Sequence, residues 1–393
     1  MKGSKSETEL LLQFSNHLKS FRTQKSLSQG QLANQTGITR QAISAIESNL
    51  YLPTTVIALR LASVLNCRVE DLFSLTPHED SLEGILIGHL PSRTSSTSPV
   101  RVKVSTIGKR TIVRPVTDLG EQLSFAVPAD GYITDASSKL FGSTVRVRLS
   151  RDREAIQQEI SVAGCDPSIF LVGEHLRRHK DRTTVIGWTM GSMAALQALQ
   201  RGEVHVAGMH LFDPVTGESN MPFLRRSLKG SGYDVVTFAT WEEGFLVRRG
   251  NPKSIRTAAD LAEPLVALVN REAGSGARLL LDQRLHAAEV QPGQVQGYDR
   301  IVSSHFEVAR AIAERQADVG IGIQSAAQLF DLDFIPLQTA RYDLVVPKPY
   351  LKSHPTLAHL FETLVSRPFR NEIEALGGYD TSETGKAQTL RTS

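Results

Sequence analysis

Cysteine is scarce in this sequence, and that bears on where the protein works. Two cysteines, Cys67 and Cys165, occur in 393 residues, and they fall in segments that we assign to different domains. Two such cysteines cannot build the disulfide framework of a small secreted protein. The N-terminal residues carry charge but lack the apolar run of a secretory signal. Together these features predict a reducing, cytoplasmic location.

Long apolar runs are also missing. No stretch of about 18 apolar residues occurs, which is the length that a membrane-spanning helix needs, so we expect no membrane partner. Apolar residues make up 40% of the chain and charged residues 22%, as in ordinary globular proteins. A chain of 393 residues is too long for one compact core of usual size. We therefore expect two or three domains.

No strong excess of one charge sign is present either. The formal net charge is +3, which alone is too small to indicate nucleic acid as a partner. The excess lies at the N-terminus, because residues 1–75 hold eight Lys and Arg against five Asp and Glu. The rest of the chain is balanced, so the first 75 residues are the place to look for a DNA-binding segment.

The spacing of apolar residues divides the chain into segments. Helical spacing predicts an all-α domain over residues 1–75, and a stretch rich in Ser, Thr and Pro predicts a flexible linker over residues 76–99. Alternating valines predict a β-rich lead-in over residues 100–155. Over residues 156–380, short apolar runs alternate with helical patterns, which is typical of an α/β domain. The polar tail, residues 381–393, is expected to be disordered.

The segment Gln29–Ile46 has the pattern of two short helices that meet at a steep angle. Ala33 supplies a small residue where the two backbones approach, and Gly37 supplies the tight turn between the helices. Thr39 is placed to cap the second helix. Apolar side chains occur where the pair must bury one face, at Leu32, Ile38, Ile43 and Ile46. The alternative is an ordinary helical hairpin in a bundle.

Residues 10–75 resemble the Cro/repressor helix-turn-helix family, with Pro53 before a further helix and the closing VEDLF at 69–73. In that family the second helix lies in the major groove. The resemblance implies base contacts from Thr39, Arg40, Gln41 and Ser44, and phosphate contacts from Gln29 and Asn49. Arginine can bind guanine and glutamine can bind adenine, each through two hydrogen bonds. One such unit reads a half-site, so double-stranded DNA and a homodimer are the expected partners.

Three downstream segments share one design, in which an apolar strand leads through a turn of small polar residues into a helix. The turn residues are Thr189 and Ser192 in the first, Arg271, Gly274, Ser275, Gly276 and Arg278 in the second, and Ser303, Ser304 and His305 in the third. Free N–H groups at a helix start favour an anion. In an open α/β sheet such turns gather at the usual ligand crevice. The alternative is that each turn is ordinary helix-capping chemistry.

Residues 160–375 resemble the type II periplasmic-binding-protein fold, in particular its cytoplasmic branch fused to helix-turn-helix domains and to molybdenum-cofactor biosynthesis enzymes. The most specific matching pieces are the GCDP motif within residues 162–169 and the REAGSGAR motif at residues 271–278. Residues 303–323 and the RYDLVVP stretch at 341–347 also match, and residues 101–116 resemble the β-rich lead-in of that family.

This resemblance implies two α/β lobes joined by crossing strands, which we place at residues 237–252 and 341–347, with the ligand between the lobes. It points to molybdate, tungstate or a molybdenum-cofactor species as an effector, and to no resident cofactor. Several N–H and O–H donors can hold a tetrahedral oxyanion. Arg271 and Arg278 would equally suit an organic carboxylate or a phosphate.

Further residues are candidates to face the cleft: Cys165, Asp166, His210, His305 and Tyr342. All of these except Tyr342 have a structural alternative. Cys165 fits a small buried residue, the histidines fit hydrogen-bonded structural groups, and Asp166 fits a helix cap.

The sequence thus predicts a ligand-responsive transcriptional regulator rather than an enzyme. A rival interpretation joins Cys165, His210, His305 and Asp213 into a nucleophile with a base, but no known catalytic motif accompanies them. A second rival keeps DNA binding and replaces the effector by an amino acid or organic acid. A third is a scaffold whose binding domain has lost its ligand.

Overall fold

The structure is a computed structural model that describes residues 14–75, 80–88, 90, 99–133, 141–179, 183–228 and 232–390. The chain forms two compact units, Met1–Asp80 and Ser81–Ser393. None of the helices in the described ranges has the length and apolar character needed to cross a membrane.

The first unit is a small helical domain. Its helices are α1 Leu18–Gln24, α2 Gln29–Thr36, α3 Arg40–Glu47, α4 Thr55–Leu65 and α5 Val69–Leu72. A short strand before them, β1 Phe14–Asn16, pairs antiparallel with β2 Phe73–Leu75 after them. The core is apolar and fully buried, with Leu18, Leu32, Ile43, Ile46, Leu61 and Leu72 at its centre. The strand pair and the shared core hold the two ends of the domain together.

Local sequence explains the sharp turn between α2 and α3. Ser28 and Gln31 form a reciprocal capping box at the start of α2, which satisfies donors that the helix itself leaves free. Gly37 ends α2 at φ +70°, a left-handed conformation that favours glycine. Thr39 Oγ1 then accepts a hydrogen bond of 3.1 Å from the Ala42 N–H and starts α3. The turn predicted from the sequence is therefore built by the residues that predicted it.

The second unit begins with a closed five-stranded barrel. Its strands are β3 Ser81–Leu86, β4 Val100–Ile107, β5 Arg110–Pro115, β6 Gly131–Ile133 and β7 Thr144–Leu149. A flexible linker was predicted over residues 76–99, and this prediction is wrong over β3. Leu82 and Leu86 pack into the barrel core, and the strand pairs with both β5 and β7. Residues 76–79, 89 and 91–98 of that linker lie outside the described residues.

A two-lobed α/β domain follows the barrel. The strands of its main sheet are β8 Ile160–Gly164, β9 Val185–Thr189, β10 Val206–Met209, β13 Tyr233–Val247, β16 Val319–Ile323 and β17 Asp333–Pro347. They lie in the order β16-β13-β17-β10-β8-β9. Two short pairs are separate from it, β11 Phe212–Asp213 with β12 Glu218–Ser219, and β14 Asn270–Arg271 with β15 Ile301–Val302.

Helices flank the barrel and the sheet. They are α6 Glu121–Ala126, α7 Arg153–Gln157, α8 Ile169–His179, α9 Ser192–Gln200, α10 Met221–Ser227, α11 Gly276–Ala287, α12 His305–Ala313, α13 Gln324–Leu329, α14 Lys348–Ser353, α15 Leu357–Leu364 and α16 Arg367–Ala375. Short 3₁₀ turns occupy Val116–Leu119, Ala258–Ala262 and Pro292–Gln294.

Two long strands run through both lobes. β13 and β17 pair antiparallel along their whole length, from Tyr233 with Pro347 to Val247 with Asp333. Of the crossings expected at residues 237–252 and 341–347, residues 237–247 lie on β13 and residues 341–347 on β17, whereas residues 248–252 follow the end of β13. At one end β17 pairs with β10 of the first lobe, and at the other β13 pairs with β16 of the second. Each lobe has a buried cluster of its own, one around Trp188 and Leu196 and one around Leu268 and Leu280.

The chain end is ordered rather than disordered. Two further strands, β18 Tyr379–Asp380 and β19 Ala387–Leu390, pair with β13, and the Leu390 side chain is buried. Thr384 Oγ1 donates a 2.6 Å hydrogen bond to the Phe238 carbonyl. Polar composition was a poor guide here, because backbone pairing to an open strand edge needs no apolar side chains. Residues 391–393 lie outside the described residues.

A buried ion cluster fixes the barrel to the first lobe. Lys103 of β4 lies 2.7 Å from Asp130 and 2.8 Å from Glu159, which directly precedes β8. Arg151 contacts the same two carboxylates at 3.0 and 2.7 Å. Asp130 Oδ2 also accepts a hydrogen bond from the Val104 N–H. Two cations and two anions therefore share one site, and the β-rich lead-in packs on the α/β domain.

Candidate functional site

Helix α3 presents a polar face that can enter a DNA groove. Ile43 and Ile46 are buried on one side, while Arg40 and Gln41 are exposed on the other and Ser44 is half-buried. Thr39 is exposed, but its hydroxyl is engaged as the cap. The first turn of α3 therefore leaves Arg40 and Gln41 as the side chains best placed for base contacts.

Gln29 and Asn49, predicted to contact phosphates, make contacts inside the domain. Gln29 Nε2 donates a 2.9 Å hydrogen bond to Glu47, which pairs with Arg22 at 2.6 Å. Burial alone would raise the pKa of Glu47, but hydrogen bonds from Arg22 and Gln29 lower it overall. Asn49 takes a left-handed conformation and accepts a 3.0 Å hydrogen bond from Asn16. Sequence reasoning missed this network, which ties α1, α2 and α3 together.

Replacing Arg40 or Gln41 by alanine should weaken specific DNA binding by about 1–3 kcal/mol and leave nonspecific binding nearly unchanged. The reason is that base-edge hydrogen bonds carry the specificity whereas phosphate contacts carry the general affinity. Gel shifts on an operator selected in vitro measure both. Arg68→Ala is the matched control, since Arg68 is 80% exposed outside α3. Unchanged affinity of both α3 variants for the specific operator would show that α3 is not the helix that contacts the bases.

In the α/β domain, a buried group of polar side chains gathers where the lobes meet. Cys165 follows β8, His210 follows β10, and Glu243 lies in the crossing strand β13. Cys165 Sγ is 3.3 Å from His210 Nδ1, and His210 Nε2 is 3.4 Å from Glu243 Oε1. The side chains of His210 and Glu243 are both fully buried. Thiol, imidazole and carboxylate thus form one line of contacts.

The electrostatic balance at His210 favours its charged form. Complete burial acts to lower the pKa of His210, but the neighbouring Cys165 and Glu243 outweigh burial and raise it to about 10. The geometry agrees, since the two ring nitrogens face Cys165 and the Glu243 carboxylate. The contacts on both ring nitrogens are therefore what stabilises the charged form of His210.

The second lobe contributes His305 and Arg271 to the same place. His305 opens α12, is buried, and has no hydrogen-bond partner for either ring nitrogen among the described residues. Burial, Arg271 and His210 together hold the pKa of His305 well below its usual value. Arg271 forms a two-point ion pair with Glu272 at 2.9 and 3.0 Å, while its Nη1 has no partner in the described part of the chain.

Two glycines create the space for this arrangement. A Cβ atom on Gly276 would lie 2.2 Å from the His210 carbonyl oxygen and 2.4 Å from its ring, so a larger residue there would collide with His210. A Cβ atom on Gly208 would lie 1.8 Å from the Tyr342 hydroxyl. Gly276 was predicted as an anion-binding turn residue, but its place in the structure is set by close packing.

Aromatic rings from the crossing strands enclose the cluster. Trp241 of β13 stacks on Tyr342 of β17 with ring centroids 4.9 Å apart, and His210 lies edge-on to Trp241 at 5.3 Å. Trp241 Nε1 has no hydrogen-bond partner among the described residues. Tyr342 was predicted to face the ligand, whereas Trp241 and Glu243 were missed. The crossing-strand assignment was the one signal that could have singled them out.

Several predicted ligand contacts are used within the protein. Arg278 Nε lies 3.2 Å from Asp282 and its guanidinium stacks over the Tyr298 ring at 4.0 Å. Ser275 caps α11, and Gly274 takes a left-handed conformation at φ +84°. The structure thus separates the two arginines of this segment, with Arg271 in the cluster and Arg278 outside it.

In the other two turns, the predicted serines likewise make hydrogen bonds within the protein. Glu307 engages both serines of the third turn, accepting from Ser303 and donating its N–H to Ser304. In the first turn Ser192 Oγ accepts a 3.1 Å hydrogen bond from the His210 N–H, and Thr189 lines a cavity beside the cluster. These turns therefore position the cluster more than they present free donors.

Asp166 and Asp213 lie outside the line of contacts. Asp166 Oδ1 accepts hydrogen bonds from the Ser168 N–H and the Tyr379 hydroxyl, in agreement with a structural role before α8, and burial raises the pKa of this carboxyl. Asp213 pairs with Arg226 at 2.8 Å. The nucleophile-and-base interpretation therefore retains Cys165 and His210, with Glu243 in place of Asp213.

A cavity of about 360 Å³ adjoins the cluster. Its walls come from the segment that follows the barrel strand β5 and from both lobes, and include Gln122, Cys165, Thr189, Ser304, His305 and Arg310. The cluster offers N–H donors suited to an anion, and a thiol with two imidazoles suited to a metal ion. Cluster and cavity together form the candidate ligand site.

Comparison with known proteins identifies both parts of the chain. Residues 18–72 match a helix-turn-helix family model and residues 173–365 match a PBP superfamily domain. The uncharacterized protein YvgK of Bacillus subtilis (strain 168) is 36% identical over 227 residues, which are 58% of this chain and 72% of YvgK.

Two further similarities concern the separate parts. The uncharacterized HTH-type transcriptional regulator YgzD of Bacillus subtilis is 35% identical over 60 residues, 15% of this chain and 91% of YgzD. The crystal structure of an ABC-type phosphate transport receptor from Vibrio cholerae covers 56% of this chain and 98% of its own, with a TM-score of 0.38 and 16% identity. The family models confirm the predicted combination of a helix-turn-helix domain with an α/β domain like the periplasmic binding proteins.

Proposed function

The chain belongs to the family of Bacillus subtilis YvgK, and we propose that it is a transcriptional regulator controlled by a small anion. Its helix-turn-helix domain binds operator DNA and its PBP-like domain binds the effector between two lobes. A homodimer would place two α3 helices about 34 Å apart, one turn of DNA. Such a regulator acts in the cytoplasm.

One observation carries the anion proposal: the second lobe and the crossing strand β13 each hold a buried N–H donor without a partner. Arg271 Nη1 and Trp241 Nε1 both lack a hydrogen-bond partner within the described residues. Leaving a buried donor unpaired costs about 1–3 kcal/mol. A ligand that offers only acceptor oxygens removes this cost, and an anion does so with charge complementary to Arg271.

The resemblance to the molybdenum-associated branch supports molybdate or tungstate as the effector, or a molybdenum-cofactor species. A tetrahedral oxyanion offers acceptor oxygens to both unpartnered donors, Arg271 Nη1 and Trp241 Nε1. The adjoining cavity of about 360 Å³ falls within the size range of small-molecule sites, so a larger molecule that carries an oxyanion also fits. An organic acid would use the same donors.

Isothermal titration of the full chain with molybdate, tungstate and sulfate tests the proposal. We expect saturable binding of molybdate and tungstate, mutual competition for one site, and much weaker binding of sulfate. If neither oxyanion binds at millimolar concentration but a pterin-bound molybdenum species does, the cofactor version stands. A thermal-shift screen covers amino acids and organic acids, because ligands that bind the native state alone raise its stability. Failure of every anion would contradict the proposal.

A further inference from the structure

The cleft brings together three side chains of the types that bind transition metals. One ligand atom from each of Cys165, His210 and His305 lies within 4.8 Å of the other two, and all three side chains are buried. Zinc binds sulfur at about 2.3 Å and nitrogen at about 2.0–2.1 Å, so a tetrahedral site has a sulfur–nitrogen edge of about 3.5 Å. The separation of Cys165 Sγ and His210 Nδ1 is 3.3 Å. The spacing therefore suits an ion bound between these atoms.

The surroundings of His210 have a second feature of metal sites. A metal-bound histidine usually directs its other ring nitrogen at a carboxylate, which fixes the ring and makes it a better ligand. Here Nδ1 faces the cysteine sulfur and Nε2 faces Glu243 at 3.4 Å. Glu243 thus occupies the position of an orienting carboxylate.

His305 supplies an independent reason to expect a ligand. This side chain is buried, yet neither ring nitrogen has a hydrogen-bond partner among the residues that the structure describes. The neighbouring positive charge of Arg271 does not exclude a cation, because Glu272 pairs with that guanidinium at two points. Glu243 adds negative charge on the opposite side of His210.

We propose that Cys165, His210 and His305 bind a divalent first-row transition ion of the zinc type. Thiolate and imidazole are the ligands that such ions prefer, and three protein ligands leave a fourth position open. The fourth ligand is the anion of the proposed function. Only the identity of this fourth ligand rests on the proposed function; the three protein ligands do not. Cys165 and His210 belong to the first lobe and His305 to the second, so the bound ion ties the lobes together in the closed form.

Cobalt titration of the metal-free full chain tests the site, since Co²⁺ replaces Zn²⁺ and reports its ligands in the absorption spectrum. We expect one Co²⁺ per chain, visible bands of tetrahedral coordination, and a thiolate-to-cobalt charge-transfer band that Zn²⁺ abolishes. Cys67→Ser should keep the charge-transfer band, and Cys165→Ser should lose it. His305→Ala should weaken binding tenfold or more, whereas the control His286→Ala, at an exposed position, should not.

Absence of the charge-transfer band in the wild-type chain would overturn the proposal, as would its loss in Cys67→Ser or its persistence in Cys165→Ser. If Cys165→Ser fails to fold, the wild type, Cys67→Ser and the histidine pair still decide the question, because the chain has only two cysteines. The titration uses neither anion nor DNA. Its failure is therefore distinguishable from a failure of the proposed function.

Discussion

Arg271→Met should weaken binding of the effector anion by about 2–5 kcal/mol, which is at least about thirtyfold in Kd. The Arg271 side chain is 1% exposed, and its guanidinium Nη1 has no hydrogen-bond partner among the described residues. Methionine keeps much of the side-chain length and removes the charge. Glu272 loses its partner, but its side chain is 30% exposed and can be hydrated, so the fold should persist.

Arg278→Met is the matched control, because the same segment supplies both arginines. Arg278 is held by Asp282 and Tyr298 and contacts Arg271 at the backbone carbonyl. Its loss leaves the Arg271 guanidinium in place and should change the anion Kd by less than about twofold. Isothermal titration with molybdate or tungstate compares the two variants. Equal losses in both, or a loss confined to Arg278→Met, would contradict the site as drawn.

Lys103→Met should lower the free energy of unfolding of the second unit by about 3–5 kcal/mol, the usual consequence of removing one partner from a buried ion pair. Arg151 would then be the one cation left in the cluster to neutralise Asp130 and Glu159, whose side chains are only 0% and 3% exposed. Because this cluster joins the barrel to the first lobe, the barrel should also become more susceptible to proteolysis.

Lys348→Met provides the comparison for this stability measurement. Lys348 pairs with Asp234 at 3.5 Å, but its side chain is 43% exposed, and pairs of this kind contribute about 0–1 kcal/mol. Denaturant unfolding can be followed through Trp188 and Trp241, which are both buried in this unit. A midpoint for Lys103→Met as close to wild type as that of Lys348→Met would show that the ion cluster contributes little.

The sequence was most informative where local chemistry determines structure. Gly37 and Thr39 predicted the turn and the cap that the structure shows, because both act on their own backbone neighbours. The three polar turns were also located correctly at helix starts. The local pattern could not show which turn residue points into the cluster. Arg271 does so, whereas Arg278 forms an ion pair with Asp282, one helical turn away.

Residues far apart in the sequence were the ones missed. Glu243 and Trp241 reach the cluster because β13 crosses between the lobes, and the β13–β17 pairing shifts register between Glu243 and Gly244. Period-two alternation gives no warning of such a shift. Composition also led to wrong predictions at the two ends of the second unit, where a linker and a disordered tail were expected in place of β3 and β19. β3 and β19 are held by backbone pairing to strands distant in the sequence, which their own residues do not reveal.

A regulator of this kind requires that anion binding and DNA binding be coupled, and linkage makes that coupling measurable. If the anion changes operator affinity by some factor, operator DNA must change anion affinity by the same factor. A coupling of about 1–3 kcal/mol, or roughly 5–150-fold, is the usual range. The measurement is the Kd of the full chain for the anion with and without saturating operator selected in vitro. We predict different values, with the reciprocal ratio recovered from operator titrations at zero and saturating anion. Equal values, with binding established at both sites, would contradict the regulator account.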